Sequence, residues 1–267
     1  MPKRPDNYYR PDNLSEAWRL LQQPETVPLG GGSKLLAGDI TSAVVDLQGL
    51  GLGQIRQTDG SLRVGAMTRL GELADYVAEY ETELAFAPLL QKAIQQAGPN
   101  TYRHAATLGG SVAARPADSE LLAALLVLET SVTLFTGEAA SMSLAEYVAG
   151  EERPFALITH LDIPTVPGKG SSARVARTPA DYPIVSVTGW QAANGLVRLA
   201  ATGIDKRPLR LHAAEAALAG GLTPTTIEAA AEAAHASSNH PGDFRGDAAY
   251  RADMAAVLTR RVLNHLR

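Results

Sequence analysis

Three consecutive glycines follow a short β-rich run in the stretch "PLGGGSKLLAGD" at residues 28–39. The flanking runs "TVPL" and "SAVVDL" predict two strands, so the glycines are expected to form the loop between them at the edge of a sheet. Backbone without side chains lets N–H groups approach an anion such as a diphosphate closely. A single loop of this kind is also explained by a tight turn, and that alternative stays open here.

A second glycine stretch, in this case a pair, lies in "ATLGGSVA", where Thr107 and Ser111 flank Gly109 and Gly110. We expect this pair to lie in a loop as well. Glycine beside Ser or Thr combines exposed backbone donors with hydroxyl donors, which suits a dinucleotide diphosphate. Neither GxGxxG nor GxxxxGK[ST] occurs in the chain, so neither a Rossmann site nor a Walker-type ATP site is predicted.

Composition limits the classes of function. The chain has 267 residues, 45% hydrophobic and 19% charged, which predicts a folded protein of two domains. With no cysteine it can form no disulfide, use no thiolate nucleophile and ligate no iron–sulfur cluster through cysteine, so any such cluster belongs to a partner. The net charge of −4 argues against nucleic acid as a partner.

The sequence predicts neither a membrane span nor a metal site. Its longest apolar run, "LLAALLVL" at 121–128, is far shorter than the roughly 20 residues that a spanning helix needs. The first residues are polar without an apolar signal segment, so we expect a cytoplasmic location. His104, His160, His235 and His240 lack the spacing and nearby acids of metal ligands.

Hydrophobic periodicity predicts the main elements. Apolar spacing indicates helices at 14–23, from Leu70, at 87–97 and from 118 or 119 to 128, and strands at 61–66, 131–135 and 155–164. A linker rich in Pro, Gly and Ser at 164–172 predicts a domain boundary. Beyond it, Asn194-Gly195 predicts a hairpin, followed by two alanine-rich helices and a last helix. The predicted apolar face of that last helix carries Tyr250, Met254, Val257, Leu258, Val262 and Leu266.

Taken together, these motifs resemble the FAD-binding medium subunit of the molybdenum hydroxylases, the family of xanthine dehydrogenase and carbon monoxide dehydrogenase. The resemblance runs in order from about residue 8 to 263. It rests on "YYRPDNLSEAWRLL", "PLGGGSKLL", "AVVDLQGL", "LRVGAMTRLGEL", "TYRHAATLGGSVA", "LLAALLVLETSV", "LITHLDIP", "ADYPIVSV" and "GDAAYRADMAAVLTRRVL".

The resemblance implies an α+β fold. It implies an FAD-binding domain of the vanillyl-alcohol-oxidase (PCMH) type at 1–166, made of two α/β subdomains split near 57. A smaller carbon monoxide dehydrogenase flavoprotein-like domain at 170–267 would contain a three- or four-stranded antiparallel sheet and helices. It further implies an oxidoreductase subunit whose FAD accepts electrons from a 2Fe-2S small subunit, after a molybdopterin-binding large subunit has oxidised the substrate, and passes them to an external acceptor.

Residue by residue, the resemblance implies two sets of contacts to the FAD diphosphate. Two departures accompany them: Ser111 replaces a usual asparagine, and Arg115-Pro116-Ala117 stands where the family has Ala-Asp-Pro. Because a hydroxyl offers fewer donors than an amide, we expect weaker FAD binding. The implied diphosphate residues are Gly30, Gly31, Gly32, Ser33, Lys34 and Leu35 from the first stretch, and Thr107, Gly109, Gly110 and Ser111 from the second.

Four further residues correspond to family positions near the flavin, and three of them have a structural alternative. Glu120 would bond to flavin or ribose, or is simply an acid favoured in the first turn of a helix. The backbone of Ile158 would approach the flavin, or Ile158 is an ordinary core residue. Arg174 would favour the anionic reduced flavin. Tyr182 would stack on the isoalloxazine ring, or pack within a strand.

Two other functions compete with this one. Ser111 and Pro116 favour a flavin-poor structural or assembly subunit that keeps the fold without the cofactor. A stand-alone reductase of the same fold acting on a nucleotide sugar is disfavoured by the C-terminal stretch "YRADMAAVLTRRVL", and turnover of NADPH by the isolated chain would support it.

Overall fold

A computed structural model describes residues 5, 7–38 and 42–267. The helices are α1 (Leu14–Leu21), α2 (Leu70–Glu79), α3 (Ala87–Gln96), α4 (Asn100–Ala105), α5 (Leu108–Ala114), α6 (Glu120–Val127), α7 (Leu144–Ala149), α8 (His212–Ala217), α9 (Pro224–Ala236) and α10 (Ala248–Leu266). The strands are β1 (Tyr8–Tyr9), β2 (Thr26–Leu29), β3 (Ala43–Asp46), β4 (Ile55–Thr58), β5 (Ser61–Gly65), β6 (Ser131–Phe135), β7 (Ala139–Ser143), β8 (Leu157–Pro164), β9 (Gly168–Val175), β10 (Val185–Ala192), β11 (Val197–Thr202), β12 (Leu209–Arg210), β13 (Gly242–Asp243) and β14 (Gly246–Asp247). None of the helices in these ranges is long and apolar enough to cross a bilayer.

The first sheet is small and parallel. β3 lies in the middle, with β1 and β2 on either side. Helix α1 begins where the Asn13 side chain accepts a hydrogen bond from the Glu16 amide at 2.9 Å, as an N-cap does. Ala17 and Leu21 of this helix pack with Val45 of β3, so the helix covers one face of the sheet. The glycine triplet leaves this sheet directly after β2.

The second sheet is antiparallel, in the order β4-β5-β8-β6-β7. Helices α2, α3, α5, α6 and α7 share the largest apolar core with its inner residues. A β-bulge interrupts its centre: Thr133 pairs with His160 and Leu134 pairs with Ile158. Thr159 is therefore the extra residue, and its carbonyl accepts a hydrogen bond from Ala66 at 2.9 Å.

The third sheet confirms the predicted antiparallel sheet, with four strands in the order β12-β11-β10-β9. Gly195 turns the hairpin with a φ of +85°, which glycine adopts without strain. One face packs on α8 and α10, while Trp190 on the other face joins the core around α6. Because α6 is covered on all sides, its "ELLAALLV" sequence shows no polar face. The molecule is thus α+β.

Two predictions from the sequence, one for strand β8 and one for helix α10, are wrong in detail. The predicted strand at 155–164 begins at Leu157, and Phe155 is 62% exposed rather than an inward-facing strand residue. On α10 the buried stripe includes Arg251 and Ala255, whereas Tyr250 is exposed. Arg251 is fully buried because several carbonyl groups and a carboxylate meet its guanidinium, a compensation that hydrophobic periodicity does not report.

Three arginines of the C-terminal part of the chain form hydrogen bonds and an ion pair with the preceding part. Arg207 donates to the Val148 carbonyl at the end of α7 (3.1 Å), and Arg210 donates to the Leu126 carbonyl of α6 (3.3 Å). Arg245 pairs with Asp118 at 3.2 Å. The segment between α5 and α6 is therefore bound by a side chain of the C-terminal part. This segment borders the site described next.

Candidate functional site

The two glycine stretches meet at one cleft of about 720 Å³. An ideal Cβ on Gly31 would lie 1.8 Å from the Ala105 carbonyl oxygen, and one on Gly30 would lie 3.1 Å from the Thr107 hydroxyl. Only glycine allows this approach at position 31, because the obstacle is backbone and has no rotamer to change. Gly32 has a φ of +71°, a second reason for glycine in the triplet.

The first stretch supplies free backbone donors to the cleft. Among the residues that the structure describes, no acceptor receives a hydrogen bond from the amides of Gly30, Gly31, Gly32, Ser33 and Lys34. These residues line the cleft together with Leu35. Consecutive amides without internal partners suit an anionic ligand.

The second stretch differs from the sequence prediction, because Gly109 and Gly110 lie in the first turn of α5 and not in a loop. The Gly109 amide donates to the Ala66 carbonyl at 2.8 Å, and the Gly110 amide donates to the Thr107 hydroxyl at 3.2 Å. The Ser111 hydroxyl donates to the Thr107 carbonyl at 2.9 Å. Although these residues line the cleft, most of their donors are already used; the Thr107 hydroxyl proton has no acceptor in the described part of the chain.

Two cations that face the cleft are Lys34 and Arg153. Burial lowers the pKa of the Lys34 ammonium, and the nearby Arg153 lowers it further, whereas Asp118 opposes the shift. A diphosphate would relieve the repulsion between the two cations. Sequence reasoning missed Arg153, since "GEERPF" reads as a solvated turn.

Part of the cleft wall is aromatic. The rings of Trp18 and Phe155 lie 5.1 Å apart between centroids at an interplanar angle of 45°, and both line the cleft. Sequence reasoning missed this pair too, because Trp18 fits the apolar face of α1 and nothing in the sequence joins it to Phe155. Planar aromatic surfaces of this kind suit a nucleotide base.

A second cavity of about 200 Å³ adjoins the cleft. Lys34, Tyr102 and Ser111 line both spaces, so the two are neighbours. The second cavity adds Glu120 and Tyr182, whose side chain is 53% exposed. Ile158, buried in β8, lines the first space.

Arg174 is linked to the second cavity by its ion pair with Glu120, which lines that cavity. Its guanidinium lies 3.2 Å from Glu120 Oε2 and also contacts the Asp181 carbonyl. The ion pair is close but not aligned, since Glu120 Oε2 has no hydrogen-bond partner among the described residues. Burial raises the pKa of the Glu120 carboxyl to about 7, and the cations of Arg174 and Lys92 limit the rise.

This shift predicts a pH dependence of stability in the cofactor-free chain. Between pH 4.5, where an unfolded glutamate ionises, and pH 7, the folded chain keeps a proton that the unfolded chain releases. The contribution of Glu120 is therefore fully present below pH 4.5 and is lost as pH rises through 7, by about 3 kcal/mol. Glu120→Gln should remove this contribution, which urea unfolding at pH 5 and pH 8 measures. An equal pH dependence in wild type and variant would contradict the prediction.

Comparisons with known proteins place the chain in a family. Residues 4–166 match the family model described as the FAD binding domain in molybdopterin dehydrogenase, and residues 176–266 match the CO dehydrogenase flavoprotein C-terminal domain. The chain is 30% identical over 261 residues to YgfM of Escherichia coli K12, covering 95% of this chain and 93% of that protein. It is 27% identical over 281 residues to the carbon monoxide dehydrogenase medium chain of Afipia carboxidovorans, covering 96% and 95%.

Solved structures share the fold. A carbon monoxide dehydrogenase structure from Hydrogenophaga pseudoflava superposes with a TM-score of 0.89 at 24% identity, covering 100% of this chain and 98% of that chain. Quinoline 2-oxidoreductase from Pseudomonas putida 86 gives a TM-score of 0.87 at 24% identity, with the same coverage.

Proposed function

The chain belongs to the family of FAD-binding medium subunits of molybdenum hydroxylases, and on that premise we propose that it relays electrons from a 2Fe-2S partner subunit to an external acceptor. Its cofactor is FAD, and it is a subunit of an oxidoreductase. Bound FAD supplies the redox chemistry, while the protein supplies binding, orientation and electrostatics.

The observation that carries the proposal is the convergence on one cleft of a hydroxyl, two cations and amides that have no acceptor in the described part of the chain. We assign the diphosphate to the backbone from Gly30 to Leu35, to Lys34 and Arg153, and to the Thr107 hydroxyl. In this proposal Gly109, Gly110 and Ser111 shape the wall more than they donate, because their donors are engaged within the fold.

Different parts of the cleft and of the adjoining second cavity suit the two ring systems of FAD. Trp18 and Phe155 offer an aromatic surface for the adenine. Tyr182, Ile158, Glu120 and Arg174 would surround the isoalloxazine, with the exposed ring of Tyr182 available for stacking. In the same proposal, residues 1–166 form the FAD-binding domain, split near 57, and residues 170–267 form the second domain.

Partner subunits follow from the family. Relatives of this chain are medium subunits of multi-subunit dehydrogenases, which implies a large and a small subunit. We propose that the large subunit holds molybdopterin and the small subunit holds the 2Fe-2S clusters. The absence of cysteine supports this division, because this chain cannot ligate such a cluster through thiolates. The cytoplasmic location stays a prediction.

Purification of the full chain from its own host tests the proposal. We expect about one FAD per chain, the absorption spectrum of a flavoprotein, and co-purification of one subunit with iron–sulfur absorption and another with molybdopterin. A chain that carries no flavin and cannot be reconstituted with FAD would overturn the proposal.

One observation favours the alternative of a flavin-poor structural subunit. The amides of Gly109 and Gly110 and the hydroxyl of Ser111 are engaged internally, so the second stretch adds few donors. Ser111→Asn should add an amide donor at a position that borders both cavities.

If the chain binds FAD with reduced affinity, Ser111→Asn is expected to tighten binding about tenfold, the value of one hydrogen bond to a charged group. Quenching of flavin fluorescence measures the dissociation constant. Ser238→Asn, on the loop after α9 and away from the cleft, serves as the control and should leave it unchanged. No measurable FAD binding by either the wild type or Ser111→Asn would favour the structural subunit.

A further inference from the structure

Glu120 is an unusual member of the cavity wall. Its side chain is 6% exposed and Oε2 has no hydrogen-bond partner among the described residues, yet the residue lines the second cavity. A buried acceptor without a partner is costly to a folded protein. Glu120 opens α6, behind Ser119, whose hydroxyl accepts from the Leu122 amide, so the N-terminal capping of the helix does not use the carboxyl.

The charges around this carboxyl come from several elements. Arg174 on β9 and Lys92 on α3 attract the ionised form, and Asp118, just before α6, repels it. Across the cavity stand Lys34, Tyr102 and Tyr182. Arg174 also contacts the Asp181 carbonyl, so its guanidinium is shared and does not fully offset the burial of Glu120.

We infer that Glu120 keeps a proton in the loaded site and donates it in a hydrogen bond to the flavin, so that this chain takes up one proton when it binds FAD in mildly alkaline solution. The inference rests on the proposed function and adds a protonation state and a linked proton to it. The proton comes from solvent, and no redox step is involved.

The hydrogen-bonding capacity of the protonated and the ionised form of Glu120 explains why bound FAD should prefer the protonated one. A neutral carboxyl has one O–H donor, whereas a carboxylate only accepts. The carbonyl oxygens and the unprotonated ring nitrogens of an oxidised isoalloxazine accept hydrogen bonds, and N3–H is the ring's one donor. Against the acceptor atoms, which is the contact inferred here, a carboxylate would face other acceptors. A bound ring also removes water from the cavity, which disfavours the charged form further. FAD should therefore select the protonated form of Glu120.

The thermodynamic linkage between proton binding and FAD binding gives the expected pH dependence of the dissociation constant and the expected proton uptake. The free carboxyl has a pKa of about 7. If the bound form stays protonated, the dissociation constant for FAD rises about tenfold from pH 6 to pH 8, and proton uptake is about 0.1 per FAD at pH 6 and about 0.9 at pH 8.

Calorimetric titration of the full, cofactor-free chain with FAD tests the inference. At pH 8, in two buffers with different ionisation enthalpies, the difference between the observed enthalpies counts the protons taken up. Glu120→Gln keeps an N–H donor but cannot titrate, so it should take up no proton at pH 8 and lose the tenfold pH dependence of FAD binding.

Two controls separate Glu120 from other groups. Glu129→Gln changes an exposed acid just beyond the other end of α6 and should behave like the wild type. Lys34→Arg keeps a positive charge at a cation of the cleft whose pKa burial lowers, and it should keep the uptake.

Each outcome is decisive. Proton uptake that persists in Glu120→Gln, disappears in Lys34→Arg, or is missing from the wild type at pH 8 overturns the inference while leaving the flavoprotein proposal intact. Absence of FAD binding at every pH overturns the proposed function itself.

Discussion

Replacing Gly31 with alanine is expected to weaken FAD binding at least about 100-fold, a loss of about 2.7 kcal/mol. The new Cβ would lie 1.8 Å from the carbonyl oxygen of Ala105 and 2.8 Å from its carbonyl carbon. Both obstacles are backbone, so the two segments must move apart. Their separation displaces the row of amides from Thr107, and the row and Thr107 together form the proposed diphosphate site. Overpacking of this kind also costs stability, about 1–3 kcal/mol.

A matched control lies in the same connection. Gly38 has a φ of −122°, and an ideal Cβ there meets no described atom within 4 Å. Gly38→Ala should therefore change the FAD dissociation constant less than about threefold, that is by less than ~0.7 kcal/mol. Fluorescence titration of both variants, with thermal unfolding of the cofactor-free chains, checks the pair. Equal behaviour of the two variants would refute the close approach of the glycine stretches.

Replacing Arg251 with methionine is expected to lower the free energy of unfolding by about 3–5 kcal/mol, the range seen when one partner of a buried ion pair is removed. Its guanidinium is fully buried and donates to the carbonyls of Gly203 at 2.6 Å and Ile184 at 2.7 Å. It also donates to Asp243 Oδ1 at 2.6 Å and to the Gly246 carbonyl at 3.1 Å. Methionine fills a similar volume but leaves these acceptors without their donors.

The consequences of this substitution should reach the proposed cofactor site. Asp243 also pairs with Arg245, and Arg245 pairs with Asp118 beside the second cavity. Arg251→Lys should recover only part of the stability, because an ammonium cannot reproduce the planar set of donors. Arg260→Met, which breaks an exposed pair with Glu228, should cost less than about 1 kcal/mol. Urea unfolding of the three variants gives the comparison, and a loss at Arg251 no larger than at Arg260 would contradict it.

The sequence predicted the elements that depend on local pattern. Helices α1, α2, α3 and α6, the strands β2 and β6, and the hairpin at Gly195 lie close to their predicted positions. Caps, periodicity and turn residues act over a few residues, so the sequence contains the information needed to place them. The glycine pair at 109–110 was misplaced in a loop, because its helix starts from a Thr107 cap and from hydrogen bonds to Ala66 and Thr68 on a distant segment.

By itself, the sequence predicted the antiparallel sheet of the C-terminal part, and through its resemblance to the molybdenum hydroxylase medium subunits it predicted the α+β class, the family and FAD as the cofactor. Within the described residues, only the tertiary structure decided which amides remain free, that Arg153 and the Trp18–Phe155 pair border the cleft, and that Glu120 is buried without a hydrogen-bond partner for Oε2. The physical reason is that donors, charges and exposure depend on what packs against a residue. Those neighbours come from segments far away in the chain, which no local pattern can specify.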